Sequence, residues 1–222
     1  MMLMSLFSVF DPTVMGIQIN WVVMFLVLVF VPCSMYKSSG VVVEVVSSLS
    51  SGVSMGFFGI AGVNGVGMVV VVMGVFTFLT LSNLVGLFPF VFTSTAHVLF
   101  TLSLGFVMWL SFFMMGWLWS FTKSAAHLVP EGSPLMLAPL LVLVESVSHC
   151  IRPFTLSVRL AANMMAGHLI IGLLSSVSMV GGWGFWFSIF FQVFMMLLEI
   201  AVAFIQGFVY SILLLLYALE YY

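Results

Sequence analysis

The feature that most constrains the fold is a pair of long apolar segments at the end of the chain, Leu137–Val180 and Trp183–Tyr222, on either side of the glycine-rich break Gly181–Gly184. Each has about 40 residues and as an α-helix would be about 60 Å long. The hydrocarbon core of a bilayer is only about 30 Å thick. Neither segment contains a polar turn that would divide it into two spans, and Pro153 can kink a helix without ending it. We therefore predict a helical hairpin, tilted well beyond the ordinary limit of about 40°, that packs against protein along part of its length.

The rest of the sequence is also poor in charge. Hydrophobic residues make up 64% of the chain and charged residues 5%, whereas a soluble domain has about 25% charged residues. We therefore predict an integral membrane protein. Its net charge of −2 gives no indication of a nucleic-acid partner.

Several other kinds of protein are not indicated by the sequence. It contains no P-loop motif GxxxxGK[ST] and no Cys/His cluster with zinc-ligand spacing, so no nucleotide, metal or cofactor site is expected. The first residues, MMLMSLFSVFDP, lack the basic region of a signal peptide and the arginine-rich pattern of a transit peptide. Cys33 and Cys150 are interpreted as small hydrophobic residues.

A single membrane domain is predicted, with N-terminal spans and loops in residues 1–134 and the tilted hairpin in residues 135–222. The predicted N-terminal spans are Ile17–Val31 and the two arms of a spanning hairpin, Val66–Leu87 and Val98–Phe121. Val41–Gly65 alternates Val with Ser and Gly around Glu44, a pattern that fits either a strand or a surface helix. An open strand cannot satisfy its backbone in a membrane, so an interfacial amphipathic helix is predicted. The predicted fold class is thus an all-α polytopic membrane protein.

The two lysines give an orientation. Lys37 and Lys123 each lie just beyond a predicted span, which places both on the matrix or cytoplasmic side. Lys123 is followed by Ser124–Pro134, predicted to be a loop because of its prolines and glycine. His127 and Glu131 in this stretch are four residues apart, which fits a metal pair, but two polar side chains on a solvated loop are the better interpretation.

Polar side chains recur at helical spacing on both arms of the C-terminal hairpin. On the first arm, Glu145, Arg152 and Arg159 are seven residues apart. Asn163 continues this stripe, and His168 falls on the opposite side. The second arm carries its own stripe, formed by Gln192, Glu199, Gln206, Tyr210, Tyr217 and Glu220. A charged group at bilayer depth costs roughly 3 kcal/mol, so these residues need a function or a partner; the alternative is that they only hold membrane helices together.

The two stripes can be aligned, because facing residues of an antiparallel hairpin have residue numbers with a constant sum. The alignment places the turn between residues 182 and 184 and sorts the polar groups into three levels. His168 faces Glu199 nearest the turn, and Arg159 faces Gln206 in the middle. At the far end are Glu145, Glu220 and His149.

This order suits proton transfer. Carboxylates and histidine can hold and release protons, whereas arginine is not deprotonated in proteins. Two half-pathways separated by Arg159 are therefore predicted, with a counter-ion for Arg159 supplied by another subunit. A secondary transporter would require an inverted repeat, and none is found. A structural scaffold of buried ion pairs would require charges that balance locally, yet no acidic residue lies at the level of Arg159.

Four segments resemble subunit a of the F-type ATP synthases. They are VRLAANMMAGH (Val158–His168), LEIAVAFIQ (Leu198–Gln206), NLVGLFPF (Asn83–Phe90) and HLVPEGSP (His127–Pro134). The resemblance covers nearly the whole chain in order, and LFSVFDP near the start is similar to animal mitochondrial members. It implies a multi-pass stator subunit of the mitochondrial inner membrane that binds no nucleotide itself. Such a subunit packs against other stator subunits and against a ring of small rotor subunits, each with a carboxylate within the membrane.

The resemblance also implies a role for each polar residue of the hairpin. Protons pass from the intermembrane space to the ring through one half-channel and leave to the matrix through a second. The implied roles are the ring-facing arginine, Arg159; its polar neighbours, Asn163 and Gln206; the uptake half-channel, His168 and Glu199; the release half-channel, Glu145, Glu220 and His149; and a supporting arginine, Arg152. His149 has no usual counterpart, and is either an additional proton carrier or a packing residue.

Overall fold

The protein is an all-α polytopic membrane protein. The computed structural model describes residues 10–13, 16, 18–29, 40–62, 65–88, 91–119, 121–129, 137–179 and 182–221, and these contain helices but no strand. Within these ranges, seven α-helices follow one another: α1 Val22–Val29, α2 Val41–Ala61, α3 Val66–Gly86, α4 Val98–Trp119, α5 Phe121–His127, α6 Ala138–Ser178 and α7 Trp183–Tyr221. Helices α3, α4, α6 and α7 are long and apolar enough to cross a membrane. Helix is the expected form, since it satisfies its own backbone groups in lipid.

The α3/α4 hairpin supports the α6/α7 hairpin from one side. Helix α3 packs against α7, α4 packs against α6 and α7, and α2 packs against α3. The shared core includes Leu79, Leu160 and Leu215, all at most 1% exposed. A methyl group on Gly207 of α7 would overlap the methyl group of Thr80 on α3. Glycine at this position therefore lets two membrane helices approach closely, as small residues commonly do.

The C-terminal hairpin forms as predicted. Helix α6 has 41 residues and α7 has 39, so each is about 60 Å long, and they pack against each other. Pro153 lies inside α6 without ending it, and the Ser157 hydroxyl donates a hydrogen bond to the Pro153 carbonyl (2.8 Å). The chain reverses at Gly182, whose φ of 67° is readily adopted by glycine. The tilt of the hairpin in the bilayer remains a prediction.

The N-terminal part agrees with the predicted elements where it is described. Helix α2 confirms that the Val/Ser-rich segment is helical, and its position at the membrane interface remains a prediction. Helices α3 and α4 confirm that the predicted spans Val66–Leu87 and Val98–Phe121 are helical and apolar enough to cross a membrane. Helix α1 lies within the predicted span Ile17–Val31, whose remaining length is only partly covered by described residues. Cys33 and Lys37 lie outside them.

The loop predicted from Ser124 to Pro134 is wrong over its first residues. Helix α5 continues to His127, because no proline or glycine interrupts the chain before Pro130. The buried Ser124 hydroxyl donates to the carbonyl of Gly116 (3.0 Å), which holds α5 against the end of α4. Glu131 and the side chains of Lys123 and His127 lie outside the described part of the chain, so the His127–Glu131 interpretation is untested.

Candidate functional site

The predicted pair of His168 and Glu199 lies at the level nearest the turn of the α6/α7 hairpin. Nε2 of His168 on α6 lies 3.7 Å from Oε1 of Glu199 on α7, which confirms this pairing of the two arms. Glu199 is 6% exposed. Gly167 leaves the space for its carboxyl group, because a methyl group there would lie 2.7 Å from Cδ of Glu199. Helix packing thus places a buried carboxyl group beside an imidazole.

This pair lacks hydrogen-bond partners in the described part of the chain. Both carboxyl oxygens of Glu199 and Nε2 of His168 are buried and make no hydrogen bond there. Burying an ionisable group without a hydrogen bond is costly, and buried polar atoms are almost always hydrogen-bonded to protein or water. The pair therefore forms a polar site within an otherwise apolar bundle, suited to holding water and to exchanging protons.

A second set of buried polar residues lies on α3 and on the connection between α3 and α4, and the sequence alone assigned it no function. It consists of Asn83, Thr93, Thr95 and His97, each with a buried side-chain atom that has no hydrogen-bond partner among the residues described. The Asn83 side chain, 0% exposed, donates through Nδ2 to the carbonyl of Ala203 (3.5 Å), one turn after Glu199. We name these four residues the α3–α4 polar cluster.

The α3–α4 polar cluster is held against the hairpin by the connection between α3 and α4. A short 3-10 helix, Ser94–Ala96, packs on α6, and Ala96 shares an apolar cluster with Met164 of α6 and Ala203 of α7. The polar run TSTAH (Thr93–His97) lies between the predicted spans Val66–Leu87 and Val98–Phe121. Its burial is a tertiary property, and the concentration of hydroxyl groups next to a histidine was the available signal.

Arg159 differs from the other charged groups of the hairpin. Its side chain is exposed on the surface of α6, next to the exposed small residues Ala162 and Ala166. Within the described ranges, no carboxylate lies within ion-pair distance of its guanidinium group. Asn163 and Gln206 are half-buried, and neither hydrogen-bonds to Arg159 in this part of the structure. A permanent cation therefore faces outward from an apolar face.

The far level is a compact ionic cluster. Oε1 of Glu145 lies 3.3 Å from Nε2 of His149 and 3.7 Å from Nη2 of Arg152. The Arg152 guanidinium carbon lies 5.4 Å from the centre of the Tyr217 ring on α7, a cation–π distance. His149 is buried at 7% exposure. Glu220 belongs to α7, but its side chain is not among those described, so its predicted proximity to Glu145 is untested.

A family model and the similar known proteins all point to one protein family. A family model described as ATP synthase A chain matches residues 14–218. ATP synthase subunit a of Artemia franciscana is 40% identical over 220 residues, covering 99% of this chain and 100% of that protein. The subunit a of Aedes aegypti is 38% identical over 224 residues, covering 99% of each chain. That of Locusta migratoria is 37% identical over 225 residues, covering 100% of each.

Proposed function

The chain belongs to the ATP synthase subunit a family, and on that premise we propose that it is the proton-conducting stator subunit of an F-type ATP synthase. The observation that supports this most directly is Arg159, a permanent cation exposed on an apolar helix face with no carboxylate partner among the described residues. Such a charge needs a counter-ion from outside the chain. We propose that this counter-ion is the membrane-embedded carboxylate of a small rotor subunit, presented in turn by each member of a ring.

The proposed uptake half-channel contains His168 and Glu199. We propose that the α3–α4 polar cluster extends it, because its unpartnered polar atoms lie on segments that pack against α6 and α7, and Asn83 bonds to the carbonyl of Ala203, one turn after Glu199. A row of hydroxyl, amide, imidazole and carboxyl groups can form hydrogen bonds to an unbroken chain of water molecules. Protons from the intermembrane space would pass along it to the ring carboxylate, with the half-buried Asn163 and Gln206 as the polar neighbours of the arginine level.

The proposed release half-channel contains Glu145, His149 and Glu220. Helix α6 starts shortly after α5, so its Glu145 end lies on the side of the membrane assigned to Lys123, the matrix side. Arg152 is proposed to support this half-channel by holding Glu145 and stacking on Tyr217. The proposed location is the mitochondrial inner membrane, where the chain would contact the other stator subunits as well as the ring.

The packing of Gly167 leads to a prediction for the uptake half-channel. Gly167→Ala would place a methyl group where Glu199 keeps its carboxyl group. Displacing a reacting group by about 1 Å can cost up to about 100-fold in rate, so passive proton flux through membranes stripped of the catalytic head is expected to fall by at least about tenfold. Gly74→Ala is the control, because a methyl group there meets no atom within 4 Å. Equal proton flux in the Gly167→Ala and Gly74→Ala variants would show that proton uptake does not depend on the packing of Gly167 against Glu199.

Crosslinking tests the proposed ring-facing surface. A cysteine at position 162, on the exposed face beside Arg159, is expected to form a disulfide with a cysteine placed next to the carboxylate of the rotor subunit. A cysteine at position 160 is the control, since Leu160 is 1% exposed and points into the core. Crosslinked product is measured after oxidation of assembled complexes in membranes. Crosslinking at position 160 in preference to 162 would show that another face of α6 meets the ring.

A further inference from the structure

Tyr210 is a buried polar residue to which neither proposed half-channel gives a role. It belongs to the polar stripe of α7, one turn after Gln206. The residue is 2% exposed, and its hydroxyl group has no hydrogen-bond partner in the described residues. It is the only such side-chain atom in that part of the chain that lies away from the His168–Glu199 pair and the α3–α4 polar cluster. Leaving a buried hydroxyl group unpartnered is unfavourable, so this position requires an explanation.

Three oxygen atoms, one of them from the Tyr210 hydroxyl group, lie close to Gly105 of α4. Gly105 of α4 faces them, and a methyl group on Gly105 would lie 3.4 Å from the Tyr210 hydroxyl oxygen and 3.5 Å from the Pro153 carbonyl oxygen. The same methyl group would overlap Oγ of Ser157, a residue that is 0% exposed. Oxygen atoms from α6 and α7 therefore lie around the Cα atom of Gly105, where α4 approaches too closely for any side chain.

The hydrogen-bonding capacity of these groups fits a water molecule. The Ser157 hydroxyl donates its proton to the Pro153 carbonyl, which leaves lone pairs on Oγ as acceptors. A carbonyl oxygen has two lone pairs, and the Tyr210 hydroxyl can both donate and accept. A buried water typically makes about three hydrogen bonds to such groups. The site thus offers three polar partners drawn from two helices.

The position of these oxygen atoms along the hairpin relates them to the proposed release half-channel. Ser157 and Tyr210 lie between the level of Arg159 and Gln206 and the level where Arg152 contacts Tyr217. His149, which lies 3.3 Å from Glu145, is one turn before Pro153 on α6. The converging oxygens therefore lie between the arginine level and the proposed release half-channel, on the side of α6 that faces α4.

We propose that Tyr210, Ser157 and the Pro153 carbonyl bind one buried water beside Gly105, and that this site passes protons from the arginine level toward the His149–Glu145 pair. The inference rests on the proposed function and adds a step to its release side. Each transfer is a proton hop, in which the water or the Tyr210 hydroxyl accepts a proton on a lone pair while one of its own O–H bonds breaks toward the next acceptor. The Pro153 carbonyl and Oγ of Ser157 accept hydrogen bonds and hold the water in place. No electrons move, and each oxygen is neutral again after the proton has passed.

The main test is Tyr210→Phe, which removes the hydroxyl group and keeps the ring that fills the core. Passive proton flux through head-stripped membranes is expected to fall by about fivefold, the factor that corresponds to one net hydrogen bond. The flux is also expected to show a larger ratio between H₂O and D₂O, because proton transfer becomes more strongly limiting. A loss of packing alone would not change this ratio. Ser211→Ala is the matched control, since Ser211 is also buried on α7 but donates to its own helix at Phe208.

Ser157→Ala is a second variant, which keeps the test valid if the first does not assemble. It removes one partner of the water and leaves Tyr210 in place, so the same fall in flux and the same increase in the isotope ratio are expected. The double variant should be no slower than the slower single variant, because both act on one site. Flux and isotope ratio equal to those of Ser211→Ala, in either assembled variant, would overturn the inference.

This outcome is distinguishable from a failure of the proposed function. If the chain did not conduct protons, head-stripped membranes containing the parent protein would show no specific flux. If it conducts protons without this site, the parent flux would be present and the Tyr210 and Ser157 variants would retain it.

Discussion

Replacing Arg159 with alanine is expected to abolish ATP synthesis driven by a proton gradient, while the assembled complex remains in the membrane. The Arg159 side chain is exposed and has no ion-pair partner in the described part of this chain, so its removal leaves no uncompensated charge and no cavity in the bundle. The expected loss of ATP synthesis therefore results from the missing cation and not from misfolding. Without the cation, nothing at this level favours the ionised form of a passing ring carboxylate, and nothing separates the two half-pathways.

Arg159→Lys is expected to fail as well. Lysine keeps a positive charge but presents a compact ammonium group, and it loses its proton far more readily than arginine when it is buried. A barrier to proton transfer requires a cation that cannot itself carry a proton away. ATP synthesis by membrane vesicles and the amount of assembled complex on native gels provide the measurement.

Arg152→Lys is the matched control for this experiment, since the same substitution is made seven residues away on the same helix. Arg152 already has Glu145 and Tyr217 as partners within the chain, and lysine can keep the ion pair. We expect a partial loss of synthesis for Arg152→Lys against a complete loss for Arg159→Lys. Full synthesis with either Arg159 variant would contradict the stator assignment.

The two arginines show what periodicity can and cannot predict. Their seven-residue spacing predicted one stripe on α6, and the ion pair of Glu145 with Arg152 confirms the part of the stripe that these two residues form. Arg152 has an acidic partner on its own helix, because Glu145 lies seven residues before it, whereas no acidic residue lies at the level of Arg159. The packing of α7 beside α6 adds Tyr217 to the environment of Arg152, a contact that the spacing does not predict. The scaffold interpretation, which requires local charge balance, therefore holds for Arg152 and fails for Arg159.

Most of the fold could be predicted because the membrane allows few solutions. Two apolar segments of this length with a glycine-rich break between them can form little other than a helical hairpin, and the observed turn at Gly182 lies where the aligned stripes placed it. The end of α4 was less predictable. Polar residues after Lys123 indicated a loop, but Ser124 finds a buried carbonyl partner on α4, and the short helix α5 extends to His127.

The site was predicted less completely than the fold, since helical spacing identifies a face and not the neighbour that covers it. His168 and Glu199 were paired correctly, because both belong to the hairpin whose register the sequence indicates. The α3–α4 polar cluster was missed because its burial depends on a connection folding back onto α6. Asn83 hydrogen-bonds to Ala203, far away in the sequence, and no local pattern indicates such a contact.

Replacing Glu199 with leucine is expected to stop most proton uptake without reducing assembly. Both carboxyl oxygens are buried and lack hydrogen-bond partners in the described residues, so a leucine of similar size removes polar atoms that contribute little to folding. Substituting an unpartnered buried polar group by an apolar one is near neutral or stabilising. The chemical effect is large, because removing a positioned proton carrier typically costs about 100-fold or more in rate.

The measurement for Glu199→Leu is passive proton flux through membranes stripped of the catalytic head, normalised to the amount of assembled subunit. Glu44→Leu is the control, since Glu44 is an exposed carboxylate on α2, away from the hairpin, and its loss should leave the flux unchanged. Glu199→Asp should retain part of the flux, because a shorter carboxylic acid can still carry a proton although it lies farther from His168. A Glu199→Leu flux equal to that of the parent would assign Glu199 a packing role. A fall in assembly with unchanged flux per assembled subunit would show that the pair with His168 holds the hairpin together and does not carry protons.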